Sequence, residues 1–251
     1  MAGASPPAGL APLVARLPKD VTGIFTTRWG GCSTGPYAEL NLAAAVGDDP
    51  AAVGANRAAN ASWLGVDGVH FGRQVHGATV HVVGADPPGA EVTPTCDALV
   101  TNRPGVALGV LVADCVPVLL ADPVAGVVAA AHAGRRGLVA GVLARCVAAM
   151  AAYGSEPTAV VAAIGPAVGG CCYEVPADLQ AQVAGWVPQS VSTTRWGTPS
   201  LDLPRTAVTV LRGLGVRQVH REAVCTAVYE RFYSYRRSGV TGRFAGVVVR
   251  R

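Results

Sequence analysis

The chain has 251 residues, 51% of them hydrophobic and only 14% charged, with 20 basic against 16 acidic side chains and a net charge of +4. That balance supplies a sizeable core and excludes a disordered polymer, and the mild positive charge gives little support to a nucleic-acid platform. Gly, Pro, Asp or Arg interrupts every apolar run before it reaches bilayer-spanning length. Residues 1–20 also lack the basic start and apolar block of an export signal. The expectation is a cytoplasmic protein, monomeric or a small homo-oligomer, with no nucleic-acid or membrane partner.

Gly (31) and Pro (18) make up about a fifth of the chain without a period, which implies many short elements rather than a repeat. Of the 20 basic residues all but Lys19 are arginine. The seven cysteines are an odd number, and without an export signal reduced thiols are the expected state. No CxxC pair occurs, which rules out a zinc knuckle built from closely spaced thiolates.

In chain order, residues 1–20 read as a flexible lead-in before a first strand near Val21–Thr27, followed by the Gly-rich loop Arg28–Pro36. Asp48-Asp49-Pro50 predicts a helix start, with an acidic cap and Pro in the first turn, and the helix runs to about Leu64 and stops at Gly65. Short β-rich runs follow at Val69–Val75, Thr79–Val83, Ala98–Thr101, Val106–Val112, Val116–Ala121 and Val127–Ala131. Several, such as VALGVLVA and GVVAAA, are apolar at nearly every position, so covering layers are expected on both faces of their sheet. A helix over Leu138–Tyr153, a strand over Thr158–Ile164, helices near Pro176–Val187 and Leu203–Leu214, and a last strand over Gly242–Val249 complete the reading. Strands and helices mix without strict βαβ alternation. The expected architecture is α+β, one layered domain over residues 21–251 with mixed β-sheets flanked by helices.

Two of the five histidines stand at predicted strand ends beside small residues, His76 in QVHG and His132 in AHAG, and Asp114-Cys115 separates two apolar strands. Two imidazoles and one thiolate make a three-ligand zinc set with an open fourth position, the pattern of a catalytic site. The three lie on different strands, so only the fold can bring them together, and satisfied core residues remain the alternative at this point. Asp114 is placed either behind a ligand, beside the metal as a base, or as a turn cap. Arg28, before Trp29-Gly30-Gly31, and Arg136, in Arg135-Arg136-Gly137, combine guanidinium with exposed backbone N–H groups, which suits phosphate. Arg236 and Arg237 have the same character with fewer glycines. Cys171 and Cys172 are adjacent with no histidine near in sequence, and a packing role is expected for them. Dinucleotide, Walker-type and nucleophile-elbow motifs do not occur.

The run TTRWGGCSTGPYAELNLAAAVGDDPAAVGANR, then QVHG, CDALVT, ADCVPVLLAD, AHAGRRG, GPAVGGCCYEV and FYSYRRSGVTGRFAG resemble, in order, the YfiH-type purine nucleoside phosphorylase family, formerly labelled polyphenol oxidase or laccase-domain protein. The resemblance spans nearly the whole chain. It implies a catalytic zinc held by His76, Cys115 and His132, with copper as a substitute metal. It also implies phosphorolysis of adenosine, inosine and methylthioadenosine, together with deamination of adenosine. In that setting Arg28 and Arg136 are the expected phosphate holders and Asp114 the expected proton carrier. Two positions depart from the family pattern. Arg135 stands where Trp is usual, and GPAVG replaces a GPCIG-like turn. Laccase chemistry fails a count, because a multicopper centre needs roughly ten imidazoles and the chain has five. The competing function is a Cys/His hydrolase of peptidoglycan precursors at the same site. A third is a non-enzymatic metal-binding protein.

Overall fold

The computed structural model describes residues 11–84 and 93–251. Its strands are β1 (Leu13–Val14), β2 (Val21–Phe25), β3 (Val69–Phe71), β4 (Val80–Val82), β5 (Ala98–Thr101), β6 (Ala107–Val112), β7 (Val116–Asp122), β8 (Val127–Ala133), β9 (Val161–Ile164), β10 (Val191–Thr193), β11 (Pro199–Leu201), β12 (Gln218–Arg221) and β13 (Phe244–Arg250). The α-helices are α1 (Pro50–Leu64), α2 (Arg135–Val139), α3 (Val142–Ala151), α4 (Ala177–Ala184), α5 (Leu203–Gly213) and α6 (Tyr235–Ser238).

A five-stranded sheet runs β1-β2-β13-β6-β3 and a six-stranded sheet runs β12-β9-β7-β8-β5-β4, with β10 and β11 as a separate ribbon. Both large sheets are mixed. β3 pairs parallel with β6, β4 with β5 and β12 with β9, and the remaining pairs within them are antiparallel. The two sheets face each other across Phe25, Leu108, Val110 and Val248 on one side and Leu99, Leu119, Ala121 and Val128 on the other. The outer face of the six-stranded sheet packs Val118, Leu120, Ala129 and Ala131 under Leu143, Cys146 and Met150 of α3 and Ala207 and Leu211 of α5. Ile24, Ala107, Val247 and Val249, on the outer face of the other sheet, join Leu64 at the end of α1. The result is a stack of helix, sheet, sheet and helix. Every residue of β7 and β8 is buried, which explains why those runs are apolar at successive positions rather than alternating.

Local chemistry sets the boundaries. Asp49 caps α1 by accepting from the Ala51 amide at 3.0 Å, Pro50 opens the helix, and Gly65 ends it at φ +64°. The helix expected over 138–153 begins earlier and breaks in two, because Gly141 adopts φ +83°, a left-handed conformation that interrupts the helical path. Half of the expected lead-in is also structured: Leu13 and Val14 of β1 pair with Phe25 and Ile24, while residues 1–10 lie outside those described. β12 and the β10–β11 ribbon were not expected. All three are short and partly exposed.

At the end of β7 the buried Asp122 accepts from the Ser155 hydroxyl at 2.6 Å and from the Val124 and Ala125 amides at 2.8 and 3.0 Å. Burial alone would raise its carboxyl pKa, but these donors outweigh it and hold it below the ordinary range. Ser155→Ala should cost about 1–2 kcal/mol at neutral pH. A depressed carboxylate stabilises the fold above its unfolded pKa, about 4, and loses that contribution as pH falls through the lower folded value. The gap between wild type and Ser155→Ala in denaturant melts should therefore narrow in acid. A gap that widens there contradicts the assignment.

Candidate active site

His76, Cys115 and His132 converge. His76 lies in the loop between β3 and β4, Cys115 immediately precedes β7, and His132 lies in β8. One imidazole nitrogen from each histidine and the Cys115 sulfur all lie within 4.8 Å of one another. The Cys115 Sγ is 3.9 Å from His76 Nδ1, and the two rings meet edge to face with centroids 4.8 Å apart.

One carboxylate assembles this arrangement. Asp97, fully buried just before β5, accepts from the backbone amides of Val75, His76 and Gly77 at 3.2, 2.9 and 2.7 Å. Its Oδ1 also lies 2.8 Å from His132 Nδ1, and its backbone carbonyl accepts from the His132 amide at 2.7 Å. With Nδ1 engaged by a carboxylate, His132 presents Nε2 towards Cys115, the arrangement of metal-binding histidines with an oriented ring. His76 is held at φ +59°, a conformation uncommon for a non-glycine residue.

The electrostatics suit a cation. Burial alone would raise the Cys115 thiol, but the His132 charge and hydrogen bonds from both histidines outweigh it and hold it at about 6. Burial would lower His132, yet the Cys115 thiolate and Asp97 raise it to about 9. Asp97 is held at about 2, its burial outweighed by His132 and the loop amides. Two imidazoles and one thiolate at this spacing form a donor set that fits zinc with a position left open.

The trio opens onto a cleft of about 1280 Å3, lined also by Arg57, Gln74, His81, Tyr235 and Arg243. Arg243 is fixed at the wall, its Nη1 donating to the carbonyls of Thr241 and Gly242 at 2.7 and 2.9 Å. Burial lowers its pKa, while Cys115 and Asp114 act against that.

The other expected residues lie differently. Asp114 has both oxygens occupied: Oδ1 accepts from the Thr226 hydroxyl and Oδ2 from the Arg236 amide, each at 2.6 Å. It anchors the turn before Cys115 at φ +99°, and the oriented histidine is held by Asp97 instead. Arg28 spends Nε and Nη2 on the Ala38 carbonyl at 2.9 and 2.6 Å, and its guanidinium stacks on Tyr233. Arg136 is exposed on α2. Neither lines the cleft. Arg237 is likewise consumed by the carbonyls of Thr226 and Phe232, both at 2.7 Å. Asp97 and Arg243 were missed as functional residues, although each sits inside a quoted run, CDALVT and GRFAG. The available signal was an acid directly before an apolar strand and an arginine directly before the last one.

A mixed-sheet α+β protein with a His–Cys–His cluster drawn from the β3–β4 loop, the start of β7 and the end of β8 is the class that fold and site define. A family model described as multi-copper polyphenol oxidoreductase laccase matches residues 22–251, and the chain belongs to that family. It is 56% identical over 230 residues to purine nucleoside phosphorylase ORF3 of Streptomyces griseus, covering 89% of this chain and 92% of that protein. It is 45% identical over 232 residues to the purine nucleoside phosphorylase of Deinococcus radiodurans, covering 89% and 87%. The crystal structure of Neisseria meningitidis protein NMB0706 superposes with a TM-score of 0.86 at 37% identity, covering 95% of this chain and 98% of that one. YlmD from Geobacillus stearothermophilus gives 0.86 at 34% identity, covering 93% of each. The mixed, open sheets with flanking helices match these neighbours. No described helix is long and apolar enough to cross a membrane.

Gly134 lies under the trio. A Cβ there would sit 2.8 Å from His76 Nδ1 and 3.0 Å from Cys115 Sγ, while its backbone, at φ −73° and ψ 167°, is ordinary for alanine. Gly134→Ala should therefore fold with a near-normal melting transition but lose metal, measured by elemental analysis of the purified protein. Full metal content in that variant contradicts the assembled geometry.

Proposed function

We propose that this chain is a zinc-dependent purine nucleoside phosphorylase acting on adenosine, inosine and methylthioadenosine, with adenosine deaminase activity. The observation that carries the reading is the convergence of His76, Cys115 and His132 on one wide cleft. It is supported by relatives of nearly the same length that bear the name purine nucleoside phosphorylase. The cleft exceeds the ~300–1,000 Å3 usual for small-ligand sites, room for a nucleoside and a phosphate together.

His76, Cys115 and His132 would hold the zinc, which would supply Lewis-acid chemistry when bound. Asp97 fixes the His132 tautomer and the His76 backbone, so the ligand geometry is set before substrate arrives. Arg243, rather than Arg28 or Arg136, holds the phosphate, since it stands at the cleft wall with its charge near Cys115. In phosphorolysis a phosphate oxygen forms a bond to C1′ and the C1′–N9 bond breaks. The electron pair goes to the purine, which takes up a proton. In deamination water adds at C6 and ammonia leaves. Asp114 positions Cys115 through the turn it anchors.

Adenine should form from adenosine only when phosphate is present, whereas inosine should form without it. Adenine appearing equally fast in phosphate-free buffer contradicts phosphorolysis. Arg243→Ala should lower kcat/KM for phosphate by roughly tenfold to hundredfold, the loss of one charged hydrogen-bonding partner, with deamination much less affected.

Cys115→Ser replaces a soft ligand with a mostly protonated oxygen. Zinc content and both activities should fall together while unfolding stays cooperative, since a core of this size does not depend on one ion. A Cys115 nucleophile, as in a peptidoglycan-precursor hydrolase, forecasts the reverse, with zinc retained and activity lost on alkylation of the wild-type thiol.

A further inference from the structure

Beyond the cleft, a second set of potential ligands is drawn together. The sulfurs of Cys171, Cys172 and Cys225 lie within 4.8 Å of one another, with Cys171 and Cys172 3.5 Å apart. Sequence alone indicated packing for the adjacent pair, because the third cysteine arrives from a distant segment. β9 and β12 are parallel neighbours, so the turn after β9 and the loop after β12 leave the sheet on the same side. They are laced together there: the Thr226 amide donates to the Ala167 carbonyl at 3.0 Å and the Ala167 amide to the Val224 carbonyl at 3.4 Å. The backbone thus sets the cysteine spacing.

We propose that Cys171, Cys172 and Cys225 form a second metal site, a three-thiolate cradle for a soft d10 cation such as zinc. Four features support it. A metal about 2.3 Å from each sulfur requires sulfurs roughly 3.8–4 Å apart, and these sulfurs already lie within 4.8 Å of one another. The donors are all sulfur, which selects thiophilic ions over magnesium or calcium. The Gly169 amide donates to the Cys225 sulfur at 3.2 Å, a contact that steadies a thiolate. Access is open on one side, since Cys171 is exposed while Cys172 is buried.

On loading, three S–H protons leave to solvent and three metal–sulfur bonds form, giving a divalent ion a site charge of −1. The alternative of an activated nucleophile fits poorly, because desolvation, the Cys172 contact and nearby Cys225 push the Cys171 thiol up to about 12. The site has a structural consequence for the cleft. The Val168 amide donates to the Asp114 carbonyl at 2.9 Å, and Thr226, next to Cys225, holds the Asp114 carboxylate. A cation on the cluster staples the two loops that fix the turn before Cys115.

The test uses cadmium, whose sulfur-to-metal absorption grows with the number of thiolates bound, on the reduced, metal-stripped full chain. The wild type should bind two ions by native mass spectrometry, one of them with the stronger three-thiolate absorption. Cys115→Ser should retain that strong absorption with one ion. Cys171→Ser, at an exposed position, should lower that absorption by roughly a third, the share of one of the three thiolates, and weaken cadmium affinity by more than the tenfold to hundredfold expected for loss of a mere supporting contact. It should also abolish the rise in melting temperature that loading produces in Cys115→Ser. The proposal is overturned if the wild type saturates at one ion, if the strong absorption vanishes in Cys115→Ser, or if Cys171→Ser and Cys225→Ser both keep it. Because the readouts are stoichiometry and absorption, failure here leaves the nucleoside reading untouched.

Discussion

A single buried carboxylate organises this molecule's chemistry. Asp97 sits where β5 begins and gathers the amides of Val75, His76 and Gly77 together with the imidazole of His132. The loop between β3 and β4 is tied at its start by Arg73 to Pro94 and Thr95 and by Gln74 to the Leu111 backbone, and the Asp97 oxygens fix the stretch that carries His76. A carboxylate buried this deeply is tolerable only when fully hydrogen-bonded, so folding and site assembly are the same event. The same carboxylate fixes the His76 backbone and orients the His132 ring.

Among the described residues, the non-glycine positions with positive φ are His76 and Asp114. Both belong to the site, and each is restrained from outside: His76 by Asp97, Asp114 by Thr226 and the Arg236 amide. Sparsely populated conformations persist where the surroundings over-determine them, and such places cluster at functional sites. The two acidic residues divide the work. Asp97 orients imidazole, while Asp114 shapes the turn that carries the thiol to the mouth of β7.

The layering was legible because burial on both faces leaves an unbroken apolar signature, as in β7 and β8, and α1 was legible because its caps are chemical. Cys115 and His132 stood out as polar residues at the ends of such strands, whereas His76, expected at a strand end, lies in the loop five residues beyond β3. What escaped reading were relations that only tertiary structure creates. The Asp97 side chain looks like a strand boundary until three amides and an imidazole turn to meet it. Arg28 and Arg136, beside glycines, had the composition of an anion site. Yet one guanidinium is absorbed by its own loop's carbonyl and the other points to solvent, while Arg243 arrives at the cleft from the far end of the chain. The cysteine cluster was hidden for the same reason, since Cys225 is distant from Cys171 in sequence and adjacent only through the β9–β12 pairing.

The family description speaks of copper oxidation, and a His–Cys–His set is also the equatorial pattern of electron-transfer copper, so ligand identity alone does not separate the two chemistries. The described surroundings support the proposed reading. An electron-transfer copper site adds a weak axial ligand, usually methionine, and its potential is tuned by a hydrophobic environment about the thiolate. Here Met150 lies in α3 among the core residues Leu143, Val147 and Val142, on the outer face of the six-stranded sheet and outside the cleft lining. Cys115 instead faces an open cleft that carries Arg57, Arg73 and Arg243. Under the proposed function, the guanidinium groups on this wall would meet an oxygen-bearing, anionic substrate beside the His–Cys–His cluster. Electron transfer needs no such cleft, whereas group transfer to phosphate would use the cation-lined wall and the space beside it.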